Sequence, residues 1–560
     1  MSWRKRLSPA LALLPWLGVV AFGLWAAAPI LQADGEVFAG RLSTDNVVTP
    51  WFYDLVARLL ADGRDTDWLI GLRHPSPLAR TVEFPSDWDA RLLAPLSWWA
   101  EWPRSWGLIQ TAALLVNGLG AAILARGLGA RGPGIVVAGI LGVVCRPVWK
   151  DLIMARMNAA FPGLAVGALG AWLWTVRTKG TGLGTAALAV GLGVAATLVY
   201  PPYVALLVPF GVLFGWGPVW KAKGSARLRA LAVVGLVAVL TVPALQDIAA
   251  SGMRKAVACS NITCPTAQNA VSWDRIFLSA PDWREGLSLP GSVAAALWLW
   301  PLALWARPRR AVVGASVLIG GLLFLSLGPC ASWSATQRVD LAALPFGWDR
   351  WVAYILCKLE PIHDYNRLLT LGVTLAGVLG GVGVHALAGH PRRSWLRWLA
   401  VVGVAGAAVG QAQWVVLSES LSPTKWHRAD PPATARHIAD TPVADRGLVL
   451  ELPFDRSAQF LSILAEPSVP RGNPLRPGDR PPMQDTFWRW AYAVGKGQSV
   501  EAEPLPAAVK ASGVRWVYFD EDRCANAAQT ACTASTHATL RRVLGAPKRV
   551  GGLLVWKVER

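Results

Sequence analysis

Long apolar runs, each about 16–25 residues and set apart by short polar stretches, dominate the first three quarters of this sequence. They fall near 7–31, 106–126, 134–149, 159–176, 182–200, 202–220, 230–247, 290–306, 311–329, 367–387 and 397–417. Runs of this length match the thickness of a bilayer core, so the pattern predicts about eleven membrane-crossing helices. Two stretches break the rhythm. The segment 32–105 is long, polar and rich in Trp, and from about residue 435 the composition turns to that of a soluble domain. Within the first segment, 47–60 places Val47, Phe52, Leu55, Val56, Leu59 and Leu60 mostly on one face, as an interfacial helix does. Trp98, Trp99, Trp102 and Trp106 fit an aromatic belt ahead of the next span. In the soluble part, 447–452, 514–519 and 553–558 read as strands, and 504–512 and 535–544 as helices. That alternation suggests a small α/β domain.

Charge turns the pattern into a topology. Arg4, Lys5 and Arg6 precede the first run. Every second loop after it is basic: Arg126 and Arg131; Arg177 and Lys179; Lys221, Lys223, Arg227 and Arg229; Arg307, Arg309 and Arg310; Arg392, Arg393 and Arg397. None of these loops contains Asp or Glu. Basic loops stay in the cytoplasm, so the N-terminus is assigned there and the C-terminus outside. The first run also fits a cleavable signal peptide, with Ala26, Ala27 and Ala28 as a processing site. Its length of about 25 residues favours an anchor. The expected organisation is a membrane domain over 1–417 with a large first outer loop (32–105), a linker (418–434) and an extracytoplasmic domain (435–560).

Composition agrees: 53% of the 560 residues are hydrophobic, 16% are charged and 31 are Trp. The net charge of +19 does not point to nucleic acid, because the basic residues recur between apolar spans instead of forming one face or tail. The cysteines pair by proximity on the outer side. Cys259 with Cys264 and Cys524 with Cys532 suggest disulfides, whereas Cys330 and Cys357 fit a disulfide or free thiols equally. Cys145 reads as a buried apolar residue.

Candidate chemistry gathers on the outer side. Asp34, Glu36, Asp45 and Asp54 lie where the first span leaves the bilayer. Carboxylates at that depth are costly unless they face a wet cavity. Asp45 also suits a helix N-cap. Asp151 lies beside Lys150 and close to Arg156 in the link that follows the third span, and Arg146, His363, Asp364 and Arg367 occupy the same side. Gln110 and Asn117 are the main polar residues inside a span.

The order of parts resembles the GT-C superfamily of membrane glycosyltransferases, in particular its YfhO-like and related bacterial branches. The resemblance rests on Leu42-Ser43-Thr44-Asp45 followed by Pro50-Trp51-Phe52-Tyr53, on His74-Pro75-Ser76-Pro77, and on LLAPLSWW over 92–99. Further support comes from Asp364-Tyr365-Asn366-Arg367-Leu368-Leu369 and from VLELPF (449–454) and GVRWVY (513–518) in the tail. It implies transfer of a sugar from a polyprenyl-phosphate donor to a cell-envelope acceptor on the outer face of a bacterial inner membrane. Asp45 would serve as base or as ligand of a divalent cation, Mg or Mn, and Asp151 would be the second acidic residue. Arg146, Lys150, Arg156 and Arg367 would hold the phosphate, supported by His363 and Asp364. Asn46 and Val47 follow Asp45, so the paired acidic motif of a firmly held metal is missing. The alternative is a non-catalytic membrane protein on the same scaffold, such as a lipid-linked-glycan transporter or an envelope assembly factor. A transporter predicts inverted repeats, and the sequence shows no clear one.

Overall fold

The computed structural model describes residues 3–31, 37–39, 44–64, 68–69, 78–79, 87–100, 102, 104–153, 155–177, 182–222, 224–250, 299–305, 309–326, 366–388, 426–428, 433–452, 505–521 and 534–558, with single positions between 395 and 406. The chain divides into two compact units, one comprising 1–34, 38–41 and 104–427, the other 35–37, 42–103 and 428–560.

Helix α1 (Trp3–Leu31) opens the membrane unit, while α2 (Thr44–Ala61) and α3 (Trp88–Trp99) belong to the second unit. The membrane unit continues with α4 (Arg104–Gly127), α5 (Pro133–Val143), α6 (Arg146–Ile153), α7 (Pro162–Arg177), α8 (Gly182–Val199), α9 (Pro201–Lys221), α10 (Ser225–Ala250), α11 (Arg309–Leu325) and α12 (Asn366–Ala388). Among the described residues, seven helices are long and apolar enough to cross a membrane. This is a multi-pass membrane protein.

Glycine sets the packing of the central helices. A Cβ on Gly120 of α4 would sit 2.0 Å from the carbonyl oxygen of Gly163 in α7, and one on Gly127 would sit 2.4 Å from that of Gly170. Both pairs lie seven residues apart, so one face of each helix carries them. In lipid, where apolar surface gains nothing by leaving water, close approach of this kind drives helix association. Gly134 of α5 and Gly381 of α12 approach in the same way. Asn117 ties α4 to the start of α7: its Nδ2 donates to Ala160 O at 2.7 Å, and the Gly163 amide donates to its Oδ1 at 2.7 Å. Gln110 likewise donates to Leu152 O at 3.2 Å. The two polar residues inside a span are thus structural.

The span expected over 134–149 is corrected. Helix α5 stops at Val143, and α6 begins at Arg146 as a separate element. Pro147 is the cause, because it has no N–H for the carbonyl of Val143 and its ring would collide with it. The indole Nε1 of Trp149 donates to that carbonyl instead, at 2.9 Å. Of the span expected over 290–306, the described part is a short 3₁₀ turn, Trp300–Trp305. The span expected over 397–417 falls largely outside the described residues. Within the belt, Trp98 and Trp99 are exposed as expected, but Trp106 is buried in the bundle.

In the second unit, α2 packs on α3, burying Trp51, Phe52, Val56 and Leu59. The soluble domain contains α13 (Ala433–Asp440), β1 (Leu448–Leu452), α14 (Leu505–Ser512), β2 (Val514–Asp520), α15 (Ala534–Leu544), β3 (Lys548–Val550) and β4 (Leu553–Lys557). The sheet order is β1-β2-β4-β3, with β1 parallel to β2 and the other neighbours antiparallel. Helices cover both faces. Ile438 of α13 packs with Val449, Tyr518 and Val555, while Val509 of α14 and Leu540 of α15 pack with Leu450, Val517 and Leu554. The fold class is therefore a multi-span helical membrane protein with a small C-terminal α/β domain. Strand β3 is unforeseen: three residues, Lys-Arg-Val, carry no alternation long enough to read.

Candidate functional site

The candidate residues divide between the two units. In the second, Asp45 is the second residue of α2, which places it inside the first turn and not ahead of it as a cap. Two turns on, the Tyr53 hydroxyl donates to Asp89 Oδ2 of α3 at 2.6 Å. Burial pushes the Asp89 carboxyl up to about 6, although the Tyr53 hydrogen bond pulls the other way. Burial also raises Asp54, opposed by its ion pair with Arg58. Arg91 Nε donates to the buried Asp87 at 2.7 Å and stacks over the Trp88 ring. Asp89 escaped the sequence reading, which treated 88–99 only as the approach to an aromatic belt.

In the membrane unit, α6 carries Arg146, Lys150 and Asp151, with Arg146 and Asp151 buried and Lys150 half-buried. The helix ends in a tight turn that bonds the Arg156 amide back to Asp151 O at 2.8 Å. Within that turn Ala155 takes a φ of 52°, a left-handed conformation that costs an alanine about 1 kcal/mol or more. Strain of this kind persists only where the surroundings fix the backbone.

Arg367 opens α12 at the same end of the bundle. Its Nη1 donates to the Tyr200 hydroxyl at 2.7 Å, and its guanidinium carbon lies 4.9 Å from the centre of the Tyr200 ring. Asp151 and Tyr203 act on it electrostatically. Tyr203 packs edge-on against Tyr200, donates to Ala159 O at 2.9 Å and is hydrogen-bonded to Thr370. Cys145, a buried free thiol, faces the Thr374 hydroxyl one turn further along α12. This end of the bundle is the one opposite Arg126, Arg131 and Arg177.

Asp151 therefore acts on Arg367 through its charge, and Arg146 and Lys150 lie on the helix that carries Asp151. Tyr200 and Tyr203 were missed. Tyr200-Pro201-Pro202-Tyr203 is visible in the sequence, but it reads only as a tight turn between spans. His363, Asp364, Cys259, Cys264, Cys330, Cys357, Cys524 and Cys532 lie outside the described residues, as does the side chain of Asp45. Among the described residues, no three His, Cys, Asp or Glu side chains converge to hold a metal ion.

No protein-family model matches the chain, and no curated protein matches it significantly. Solved structures do. Arabinofuranosyltransferase AftD from Mycobacteria superposes with a TM-score of 0.59 at 15% identity, covering 100% of this chain and 40% of AftD. This chain thus spans about two fifths of the length of AftD. ArnT from Cupriavidus metallidurans, in its apo state, superposes with a TM-score of 0.51 at 13% identity, covering 96% of each chain. Likeness at this level of identity concerns the fold. The fold of this chain is that of the GT-C membrane glycosyltransferases.

Proposed function

We propose that this protein is a membrane glycosyltransferase that moves a sugar from a polyprenyl-phosphate donor to a cell-envelope acceptor. The reaction would take place on the outer face of a bacterial inner membrane, with the N-terminus in the cytoplasm. The observation that carries this reading is the buried Asp151, which acts through its charge on an Arg367 held by Tyr200, at one end of a GT-C bundle. Buried charge is expensive in a membrane and marks a functional centre.

The roles follow from the chemistry. As the bond between the anomeric carbon and the phosphate oxygen breaks, negative charge stays on the lipid phosphate. Cations held in a water-poor site stabilise that charge. Arg367 and Arg146 are assigned this role, with Lys150 and Arg156, and with His363 and Asp364, which lie close to Arg367 in sequence. The acceptor hydroxyl gives up its proton as it attacks, and Asp45 is the assigned base. Asp151 is the second acidic residue assigned to the site and acts on Arg367 through its charge. Asp45 is also the residue assigned to a divalent cation, Mg or Mn.

The test uses the full chain in nanodiscs with polyprenyl-phosphate-linked, radiolabelled pentoses and hexoses, reading the free polyprenyl phosphate released. Asp45→Asn and Arg367→Ala should each lower release by about 100-fold or more. Wild-type protein that releases no polyprenyl phosphate from any donor rejects the reading.

A further inference from the structure

Arg367 has more donors than its known partners use. A guanidinium offers two geometrically distinct sides, and carboxylates and phosphates bind best to two parallel N–H groups along one of them. Here Nη1 is committed to the Tyr200 hydroxyl, and the guanidinium carbon lies 4.9 Å from the centre of the same tyrosine's ring. Nε is buried and has no hydrogen-bond partner among the described residues. Nη2, which lies on the same side as the Nε–H, forms no hydrogen bond to a described residue either. Asp151 acts on Arg367 through its charge without an ion pair to it among the described residues. An arginine held by its plane and by one nitrogen, with a buried donor left over, is poised for a two-oxygen acceptor.

We infer that Tyr200 is a positioning residue for this site: it fixes Arg367 so that the Nε–Nη2 edge is presented to two oxygens of a lipid phosphate. The inference rests on the proposed glycosyltransferase reading and deepens it. Two features make Tyr200 suited to the task. It is itself buried, and it lies directly before Pro201 and Pro202 at the start of α9, so its backbone has little freedom. Tyr203, one turn further along, props its ring edge-on with centroids 4.7 Å apart and is anchored to the Ala159 carbonyl. The hydroxyl thus supplies orientation and the ring supplies a cation–π platform. A monoester phosphate and a phosphate in a sugar diester both offer two oxygens to such an edge, whereas a neutral polyprenol offers none.

The probe is undecaprenyl phosphate, with undecaprenol as control, titrated against the purified full chain by microscale thermophoresis. Melting curves confirm that each variant is folded. Tyr200→Phe keeps the ring and removes the hydroxyl, and it should weaken undecaprenyl phosphate about fivefold to tenfold while leaving undecaprenol unchanged. Arg367→Lys keeps the charge but loses the edge, and should weaken the phosphate about as much as Arg367→Ala does. If Arg367→Ala loses phosphate binding while Tyr200→Phe binds like the wild type, the positioning role is overturned and the glycosyltransferase reading stands. If Arg367→Ala binds undecaprenyl phosphate normally, Arg367 is not a phosphate ligand and both the inference and that part of the reading fail. Equal weakening of undecaprenyl phosphate and undecaprenol by Tyr200→Phe marks a structural defect and also overturns the inference.

Discussion

The central and peripheral helices of the membrane unit are alike in sequence and opposite in use. The apolar window of α12 is 94% buried and that of α10 is 22% buried, although both are long, apolar and punctuated by glycine. In α12, Gly381 meets the backbone of α5, and the same helix carries Thr370 and Thr374 into the interior. Gly235 of α10 has open space around it, and Leu231, Val234, Val239 and Leu240 point outward. The difference shows that polar chemistry in this fold depends on close-packed helix pairs. A buried hydroxyl, amide or guanidinium needs partners at fixed distances, and only helices that touch backbone to backbone supply them. Apolar side chains that face lipid need none.

That contrast can be broken in several ways, taken here from the largest expected effect to the smallest. Gly120→Leu puts a side chain where Gly163 O would lie 2.0 Å from the Cβ, and should destabilise the bundle by about 3 kcal/mol or more. Loss of a monodisperse, cooperatively melting species in detergent is the readout; an unchanged melting curve would show that α4 and α7 are not in contact there. Asn117→Leu should cost about 2–3 kcal/mol, because it strips the Ala160 carbonyl and the Gly163 amide of their partner inside the bundle.

In the second unit, the Tyr53–Asp89 contact sharpens the same point at lower stakes. Asp89 titrates at about 6 in the folded protein, above its ordinary 3.8, so the folded state binds the extra proton between these values. Its contribution to stability is full below the ordinary value and is lost as pH rises through the folded one. Amides of α2 and α3 should therefore exchange faster at about pH 7 than at about pH 5 once intrinsic rates are divided out, and Asp89→Asn should abolish the difference. An Asp89→Asn protein with the wild-type pH dependence would point to another group. The smallest effect belongs to the periphery. Gly191→Ala, with nothing within 4 Å of its Cβ, should change melting by less than about 1 kcal/mol, on the stabilising side. A large loss there would place α8 in the packed centre.

Much of this was legible in advance. The helices over 104–127, 162–177, 182–199 and 201–221 match runs set by bilayer thickness, and strands β1, β2 and β4 match short β-branched runs. Arg367, Asp151 and Arg146 were legible as candidates because ionisable residues stand out against an apolar background. The break at Pro147 was visible as a residue but not as an event, since a proline kinks some helices and ends others according to what receives the freed carbonyl. Here Trp149 receives it. Tyr200 and Asp89 gave no signal, as a tyrosine beside two prolines and an aspartate next to a tryptophan are ordinary at a membrane surface.

The sequence by itself determined that the chain crosses a membrane many times, which loops carry the positive charge, and that a small α/β domain follows. These properties are written in composition and local period, which solvent and bilayer read without regard to neighbours. Only the tertiary structure decided which of the equally apolar helices are central, that Asp151 acts on Arg367 through its charge, and that a tyrosine more than 160 residues away holds Arg367 by one nitrogen. Those facts depend on which backbones can touch, and that is settled where a glycine on one helix finds a glycine on another.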